Sequence, residues 1–577
     1  MKIIRTIPVY FIITIHLLSA GDYIYQGIRV FHADNSTLQS LNNLGIPLDH
    51  VHKNKDGSLD LVLTMEESQA LLEIGIPFDV LQYDLTEYFI TRSIPGMERD
   101  FPLGSMLGNY TLLQAEAQMD TLRNMYPGFV SQKDSIGASI EGRTIWAFKV
   151  SDNPGIDEDE PEVLYTGLTH AREPLSMMNL FFFVRWLCEN YSSDVTAGFL
   201  VDHREMWFVP IINPDGYAYN ETIAPNGGGM HRKNRRPNPD DSNCNDGTDQ
   251  GVDLNRNYGY QWGPNYSGSS GNPCSGIYRG TSAFSETETE AISDFILARQ
   301  FKNVLHYHSY SNVLIHSWGD GTLPDEPDLS TLREIGAEMT RANGYAVGTG
   351  METIGYGVNG DAVDWTYGSA GLLSYTPEVG SYADNFWPSE DRVVPLCQDQ
   401  VHSNKVFALV AGSDYIVFDR LLDNQSPELE DIVAISLVIQ NRGLTDSDGS
   451  VSISINPLND ISLINNETVT IQSLPSRMTD TTTILLSVPA GTINGTKAGF
   501  EITLQDSSSL PRLDSVLVIF GTPEVIFQDG GENGMTFWTD DDNWGIVQDA
   551  VEGMYSITDS PSGEYIGDWG TSITQLT

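Results

Sequence analysis

Residues 163–167 (Val-Leu-Tyr-Thr-Gly) and the apolar run 175–191 that follows limit most what this chain can fold into. A strand apolar on successive residues must be covered on both faces of its sheet. A helix apolar on most of its circumference must be buried too. Pro174, tolerated in a first helical turn, marks where the helix starts. The unit is therefore a strand, a short loop and a helix at the edge of a doubly covered sheet, where open α/β sheets place their sites. The loop carries Thr169-His170-Ala171-Arg172-Glu173. An imidazole and a carboxylate three residues apart are both good zinc ligands. With 11 histidines in the chain such a pair arises readily by chance, so its meaning depends on context.

The 577 residues are too many for one core, and about three or four domains are expected. Lys2 and Arg5, an apolar run and Ser19-Ala20-Gly21 form a secretory signal peptide over residues 1–20. That run is too short to span a membrane, and no later stretch is long and apolar enough. A soluble, extracellular, monomeric protein is expected. The net charge of −47, from 31 basic and 78 acidic residues, argues against a nucleic-acid partner. The acidity is read as solubilising, with calcium on acidic loops as the alternative. Of the four cysteines, Cys244 and Cys274 flank residues 253–256 in a Gly/Asn/Ser-rich stretch. An exported protein keeps disulfides, and these two are expected to pair, although sequence does not fix pairing. Cys188, in the apolar helix, reads as a buried thiol.

Residues 21–104 alternate strand-like runs (23–30, 59–63) with an amphipathic stretch (65–72), a small α+β pattern. Placed between a signal peptide and a candidate site, it reads as an inhibitory propeptide, with residues 92–99 as an exposed cleavage region. Residues 105–415 alternate strands (144–150, 163–167, 206–212, 304–310, 372–376) and helices (175–191, 286–300, 328–342, 390–411), which predicts one doubly wound α/β domain. Ser285 with Glu288 reads as a capping box. Residues 416–522 show short alternating strands at regular spacing, the pattern of a β-sandwich. Residues 523–577 read as the start of a further β module.

A metal site built on His170 and Glu173 needs a third ligand. Residues 304–310 (Val-Leu-His-Tyr-His-Ser-Tyr) offer His306 and His308 on one face of a strand. His308 is nearer the end where His170 and Glu173 should lie; His316 is a further candidate, and His306 suits the core. Two imidazoles and one carboxylate leave the fourth position of zinc open for water.

Seven pieces occur in order: Thr-His170-Ala-Arg-Glu173-Pro, Asn213-Pro-Asp-Gly-Tyr217, His231-Arg232-Lys-Asn, Asp253-Leu-Asn255-Arg256-Asn, Tyr278-Arg-Gly-Thr-Ser-Ala-Phe-Ser-Glu286, His308-Ser-Tyr310 and Tyr375-Thr-Pro-Glu378. Each is common, but the ordered set over residues 105–415 resembles the zinc metallocarboxypeptidases of the carboxypeptidase A and T type. The β-rich tail resembles modules of secreted bacterial peptidases. The resemblance implies a doubly wound mixed sheet and one zinc ion held by His170, Glu173 and His308. It implies Glu378 as general base and Arg232 as the oxyanion-stabilising charge. Asn255 and Arg256 would grip the C-terminal carboxylate of a peptide, with Tyr356 closing over it from a Gly-rich loop. Arg172 and Tyr310 would line the cleft, and Asp253 would orient a ligating imidazole. Arg235 and Arg236 are read as solvated charge.

By the same register, Ile315, Gly319, Met351, Val358, Asp361 and Val363 would form the pocket for the C-terminal side chain. Members strict for Lys or Arg carry an aspartate at the place of Val363 or Gly319, so an apolar preference is implied here. Asp361 either stands on the pocket wall and adds tolerance of basic residues, or turns to solvent. The implied activity is hydrolysis of the C-terminal peptide bond of peptides and proteins. A zinc amidase of the same fold, acting on cell-wall peptides or acyl-amino acids, is the first alternative. A non-catalytic binding protein working through its β tail is the second.

Overall fold

The computed structural model describes residues 24–92 and 101–519, less residues 32–34, 49, 55, 240–243, 245–249, 265, 267, 423–431, 458–461, 464–467 and 488–496. Beyond residue 519 it describes two short strand pairs, Trp538–Thr539 with Gln575–Leu576 and Gly545–Val547 with Ser556–Thr558. The expected signal peptide, residues 93–99 of the expected cleavage region and most of residues 523–577 lie outside the described residues.

The centre is an eight-stranded mixed sheet. Its order is Ala346–Gly348, Val313–Ile315, Leu373–Glu378, Phe301–His306, Glu162–Thr166, Glu205–Val209, Thr144–Val150, Asp134–Ala138. The pairings from Leu373–Glu378 through Glu205–Val209 are parallel; the last two pairings are antiparallel. Successive residues of one strand feed two cores. Val163 and Tyr165 pack with Leu175, Met178 and Phe181 of helix Pro174–Asn190, whereas Leu164 packs with Ile292 and Ile296 of helix Thr287–Ala298. Burial on both sides accounts for the unbroken apolar runs in these strands.

Two details of the local reading change. The predicted helix over 390–411 is two helices, Glu390–Asp399 and Val401–Leu409, meeting at Gln400. The capping box of Ser285 with Glu288 is absent: helix Thr287–Ala298 has Glu286 as its cap residue and no side-chain cap bond. Ser285 Oγ donates instead to Glu286 Oε1 (2.7 Å), whose carboxylate also accepts from Arg236 Nε and Asn234 Nδ2. Glu288 is buried and accepts from Ile140 N, and burial pushes its carboxyl up to about 7. Tertiary partners outbid the local cap.

The N-terminal segment forms a four-stranded antiparallel sheet, His52–Lys53, Leu59–Thr64, Tyr25–Val30, Phe78–Gln82. Thr64 and Glu67 cap helix Met65–Glu73 reciprocally. Leu85 and Phe89 of helix Leu85–Thr91 are buried in the central core, so this segment is docked through apolar contact. After residue 414 two four-stranded antiparallel sheets face each other. Ile435, Leu437, Ile439, Ile453, Ile484, Phe500 and Ile502 alternate inward into one shared core. Asp414, at the junction, accepts from both Arg442 and Arg512.

Cys244 and Cys274 are joined by a disulfide, Cα–Cα 5.0 Å. Cys188 and Cys397 are buried free thiols, and burial pushes the Cys188 thiol up to about 12. No described helix is long and apolar enough to cross a membrane.

Candidate active site

Strand Glu162–Thr166 ends, the chain turns through Leu168 at φ +52°, and helix Pro174–Asn190 begins with Glu173 as its cap residue. Glu173 makes no cap bond because its carboxylate points elsewhere. Oε1 lies 2.8 Å from His170 Nδ1 and Oε2 lies 2.9 Å from His308 Nδ1. The two Nδ1 atoms are 3.1 Å apart. His308 sits just beyond strand Phe301–His306, bridged to Glu378 at the end of the neighbouring strand Leu373–Glu378. All four side chains are buried.

The tautomers follow from the partners. His170 Nε2 faces Asp253 Oδ1 at 3.1 Å. An ionised carboxylate only accepts, so Nε2 carries a proton, and Nδ1 turns to the Glu173 carboxylate, where either a second proton or a metal ion must lie between them. Burial pushes the Asp253 carboxyl up, but the charges of Arg232 and Arg256 outweigh it and hold Asp253 below the usual carboxylate range. Arg232 Nε and Nη2 donate to Asp253 Oδ2 at 3.1 and 2.9 Å, and Asn255 N donates to Oδ1 at 3.0 Å. Burial drives His308 below the ordinary imidazole value, which favours its neutral form. Ring nitrogens 3.1 Å apart, with a carboxylate against both, need positive charge among them, either ring protons or a metal ion. Ligand atoms around tetrahedral zinc sit roughly 3.3 Å apart for bonds of about 2.0–2.1 Å, so His170, Glu173 and His308 fit zinc.

His306 is not part of this group. Its ring nitrogens meet Thr166 Oγ1 (3.1 Å) and Thr366 Oγ1 (3.0 Å), and burial pushes it down to about 3. His316 lies elsewhere, its Nδ1 2.7 Å from Ser317 O, in a cavity wall.

That cavity opens beside His170 and Glu378. Asn255, Arg256, Tyr356, Ile315, Gly319, Val358, Asp361 and Val363 line it. Asp253 begins the short turn Leu254–Arg256, which carries Arg256 inward. Arg256 is fully buried; its Nη2 donates to Tyr356 Oη (2.5 Å) and its Nε to Gly268 O (2.8 Å). Asn255 Oδ1 accepts from Ala362 N at 3.0 Å. Arg172 and Arg232 share a neighbouring cleft with Lys233, and the Arg172 guanidinium lies 4.2 Å from the Phe386 ring centroid.

Asp361 is not turned to solvent. It is 2% exposed, caps helix Ala362–Gly368, and burial pushes its carboxyl up to about 6. Its Oδ1 has no hydrogen-bond partner among the described residues. Neighbouring Asp364 is also raised by burial and accepts from Gly319 N (2.8 Å). Met351 does not line the cavity: it is 48% exposed and packs over Gly321. Arg235 and Arg236 are not solvated charges. Arg235 stacks 3.8 Å from the Tyr219 ring centroid, and Arg236 pairs with the buried Glu286 carboxylate. Each covers a polar or aromatic surface that the helix and loop around it would otherwise leave unmatched.

The N-terminal segment covers the whole region. Ile354, Tyr356 and Val358 of the Gly-rich loop pack against Ile28, Leu41, Ile46 and Leu61 of that segment. Ser275 Oγ donates to Gly45 O (2.8 Å), and Thr86 Oγ1 donates to Gly228 O (2.8 Å). Arg92, expected in an exposed cleavage region, is half-buried. Its guanidinium donates to the carbonyls of Ala383, Asp384 and Trp387. The residue that sequence reasoning missed is His50. It is buried at the metal-type cluster, with Nε2 3.1 Å from Glu173 Oε1. A lone histidine in a turn carries no spacing signal by which it could have been found.

A family model described as zinc carboxypeptidase matches residues 115–403. The chain belongs to the zinc carboxypeptidase family. Metallocarboxypeptidases are hydrolases, and the likeness extends to individual relatives. A zinc carboxypeptidase of Saccharothrix mutabilis subsp. capreolus is 30% identical over 331 residues, 55% of this chain and 72% of the relative. Carboxypeptidase B of Astacus astacus is 32% identical over 313 residues, 52% of this chain and 96% of the relative. The crystal structure of carboxypeptidase A from Helicoverpa armigera superposes with a TM-score of 0.56 at 23% identity, covering 67% of this chain and 98% of that one. At that identity it speaks for the carboxypeptidase fold.

Proposed function

We propose that the chain is a secreted, zinc-dependent carboxypeptidase that removes apolar C-terminal residues and accepts basic ones less well. The observation that carries this is the cavity in which buried Arg256, with Tyr356 on its guanidinium, stands beside Glu378 and His170. A buried cation at that place suits a free α-carboxylate.

In this reading His170, Glu173 and His308 hold zinc, which when bound supplies a Lewis acid to the scissile carbonyl and lowers the pKa of water. Glu378 takes a proton from the attacking water and returns it to the departing nitrogen. Arg232, fixed by Asp253, stabilises the charge growing on the carbonyl oxygen. Asn255 and Arg256 hold the terminal carboxylate, Tyr356 closes over it, and Arg172 and Tyr310 flank the cleft. Asp253 keeps His170 in its ligating tautomer.

Apolar Ile315, Val358 and Val363 favour side chains such as Leu or Phe, whose burial contributes roughly 1.5–3 kcal/mol. Asp361 supplies the second preference. Its carboxyl is neutral below about 6 and anionic above. The ratio of kcat/KM for Lys over Leu termini should therefore rise as pH goes from 5 to 7. A ratio cancels groups that act on both substrates. Hydrolysis of a panel of blocked dipeptides across that range tests it, with Asp361→Ala expected to flatten the ratio and spare the Leu substrate. Strict preference for Lys or Arg would overturn the pocket reading.

We further infer that residues 21–104 are a propeptide domain, residues 105–415 the catalytic domain, residues 416–522 a β-sandwich and residues 523–577 the start of another module. The burial of Tyr356 by the N-terminal segment supports latency. The uncleaved chain should turn over peptides only at background rates, and the chain cut within residues 92–99 at full rate. Equal rates of the two forms would remove the propeptide reading.

A further inference from the structure

His50 stands in a turn of the N-terminal segment yet touches the cluster assigned above to the metal. It is 5% exposed. Its ring is stacked on Tyr310 (centroids 5.3 Å apart, 28° between planes) and edge-on to Phe386 (4.7 Å, 86°). Nδ1 lies 3.3 Å from the backbone carbonyl oxygen of Tyr310, and Nε2 lies 3.1 Å from Glu173 Oε1.

Those partners decide the ring's chemistry. A carbonyl oxygen only accepts, so Nδ1 is the N–H. Nε2 is then the atom turned toward the Glu173 carboxylate. At 3.1 Å the two atoms need positive charge between them, which a second ring proton supplies to one ring and a metal ion supplies to every ring turned to the same carboxylate. His170 is in the same condition, with one N–H directed at Asp253 and its Nδ1 against the same Oε1. One metal ion answers to both rings at once, as separate protons do not. Ligand atoms of His50, His170 and Glu173 all lie within 4.8 Å of one another. An N–H anchored on a carbonyl or carboxylate is also how a ligating imidazole is usually oriented.

The position of His50 is set by the docking of its whole segment. On one side Gly45 O is held by Ser275 Oγ. On the other, His52 stacks on Tyr382 with centroids 4.5 Å apart. Beyond it, Asp60 accepts from Arg29 at 2.6 and 2.7 Å within the same sheet.

We propose that in the uncleaved chain His50 is the fourth ligand of the metal held by His170, Glu173 and His308. This rests on the metal-site reading given above. It makes the N-terminal segment more than a cover. The segment fills the one position that an attacking water needs, and the metal in turn ties the segment to the cleft. Coupling of this kind is reciprocal, so metal binding and docking of the segment strengthen each other.

Zinc-edge X-ray absorption on the zinc-loaded full-length chain tests it by counting imidazoles. Three are expected, falling to two in His50→Phe, which keeps a ring between Tyr310 and Phe386, and to two after cleavage and removal of the segment. Two imidazoles in the unaltered, uncleaved chain would overturn the role of His50 and leave the His170, Glu173 and His308 site standing. An unchanged count in a folded His50→Phe chain would overturn it as well. If that variant does not fold, the count in the unaltered chain still decides. Failure of the full-length chain to take up zinc would overturn the metal site itself, and this proposal with it.

Discussion

Glu378→Gln should leave the fold and the metal in place while lowering kcat by ~10²- to 10⁴-fold. The side chain is nearly isosteric, so the local packing at the end of strand Leu373–Glu378 is kept. What is lost is the ability to accept a proton at a buried position, 4% exposed, bridged through the backbone to His308. An amide cannot take that proton, and bulk water has little access to do so instead. The loss should appear in kcat with KM little changed, because glutamine still occupies the same volume in the ground state. The measurement is steady-state hydrolysis by the cleaved enzyme, alongside its zinc content. Near-normal kcat with full zinc would mean that another group is the base.

Metal removal is the second large effect. Dialysis against a chelator should abolish turnover, and added zinc should restore it. The physical reason lies in the cluster: two imidazoles and a carboxylate, all buried, converge on one space with ligand-type spacing. Without the ion the buried Glu173 carboxylate depends on His170 and His308 alone for the charge and hydrogen bonds that offset its burial. The melting midpoint should therefore fall with activity. At free zinc a thousandfold above Kd, binding to the folded chain adds about 4 kcal/mol of stability, all of which chelation removes. Full activity in the metal-free protein would end the zinc reading. Lost activity with an unchanged midpoint would mean that the ion binds weakly and bears on chemistry alone.

The elements of the central sheet were legible in the chain because each is a local pattern. Residues 144–150 were outlined at the bounds that the strand takes, and the apolar run 175–191 differs from helix Pro174–Asn190 by one residue at each end. Boundaries slipped where a partner elsewhere competes. Glu286 is held by Arg236 and Asn234, which removes the cap expected from Ser285 and Glu288. A helix drawn through Gln400 becomes two because no periodicity marks a change of direction.

The candidate site divides in the same way. His170 with Glu173, and the turn carrying Asp253, Asn255 and Arg256, are contiguous in the chain, and short motifs carry both residue type and spacing. Bringing them to His308 and Glu378 is the work of the sheet. Parallel pairing sets strand Glu162–Thr166 beside Phe301–His306, and the latter beside Leu373–Glu378, so that their ends share one edge. Whether Asp361 faces the cavity or solvent, whether Met351 reaches the pocket, and whether Arg235 is solvated depended on side-chain burial, which sequence patterning leaves open at loop positions. His50 is the extreme case. Its neighbours in the chain say nothing about a metal. Its place against Glu173, 123 positions away, arises only when the apolar face of the N-terminal sheet closes over Ile354, Tyr356 and Val358. Local pattern determined which elements form, because hydrogen bonding and periodicity act over a few residues. Tertiary packing decided which distant side chains meet, because burying apolar surface is indifferent to distance along the chain.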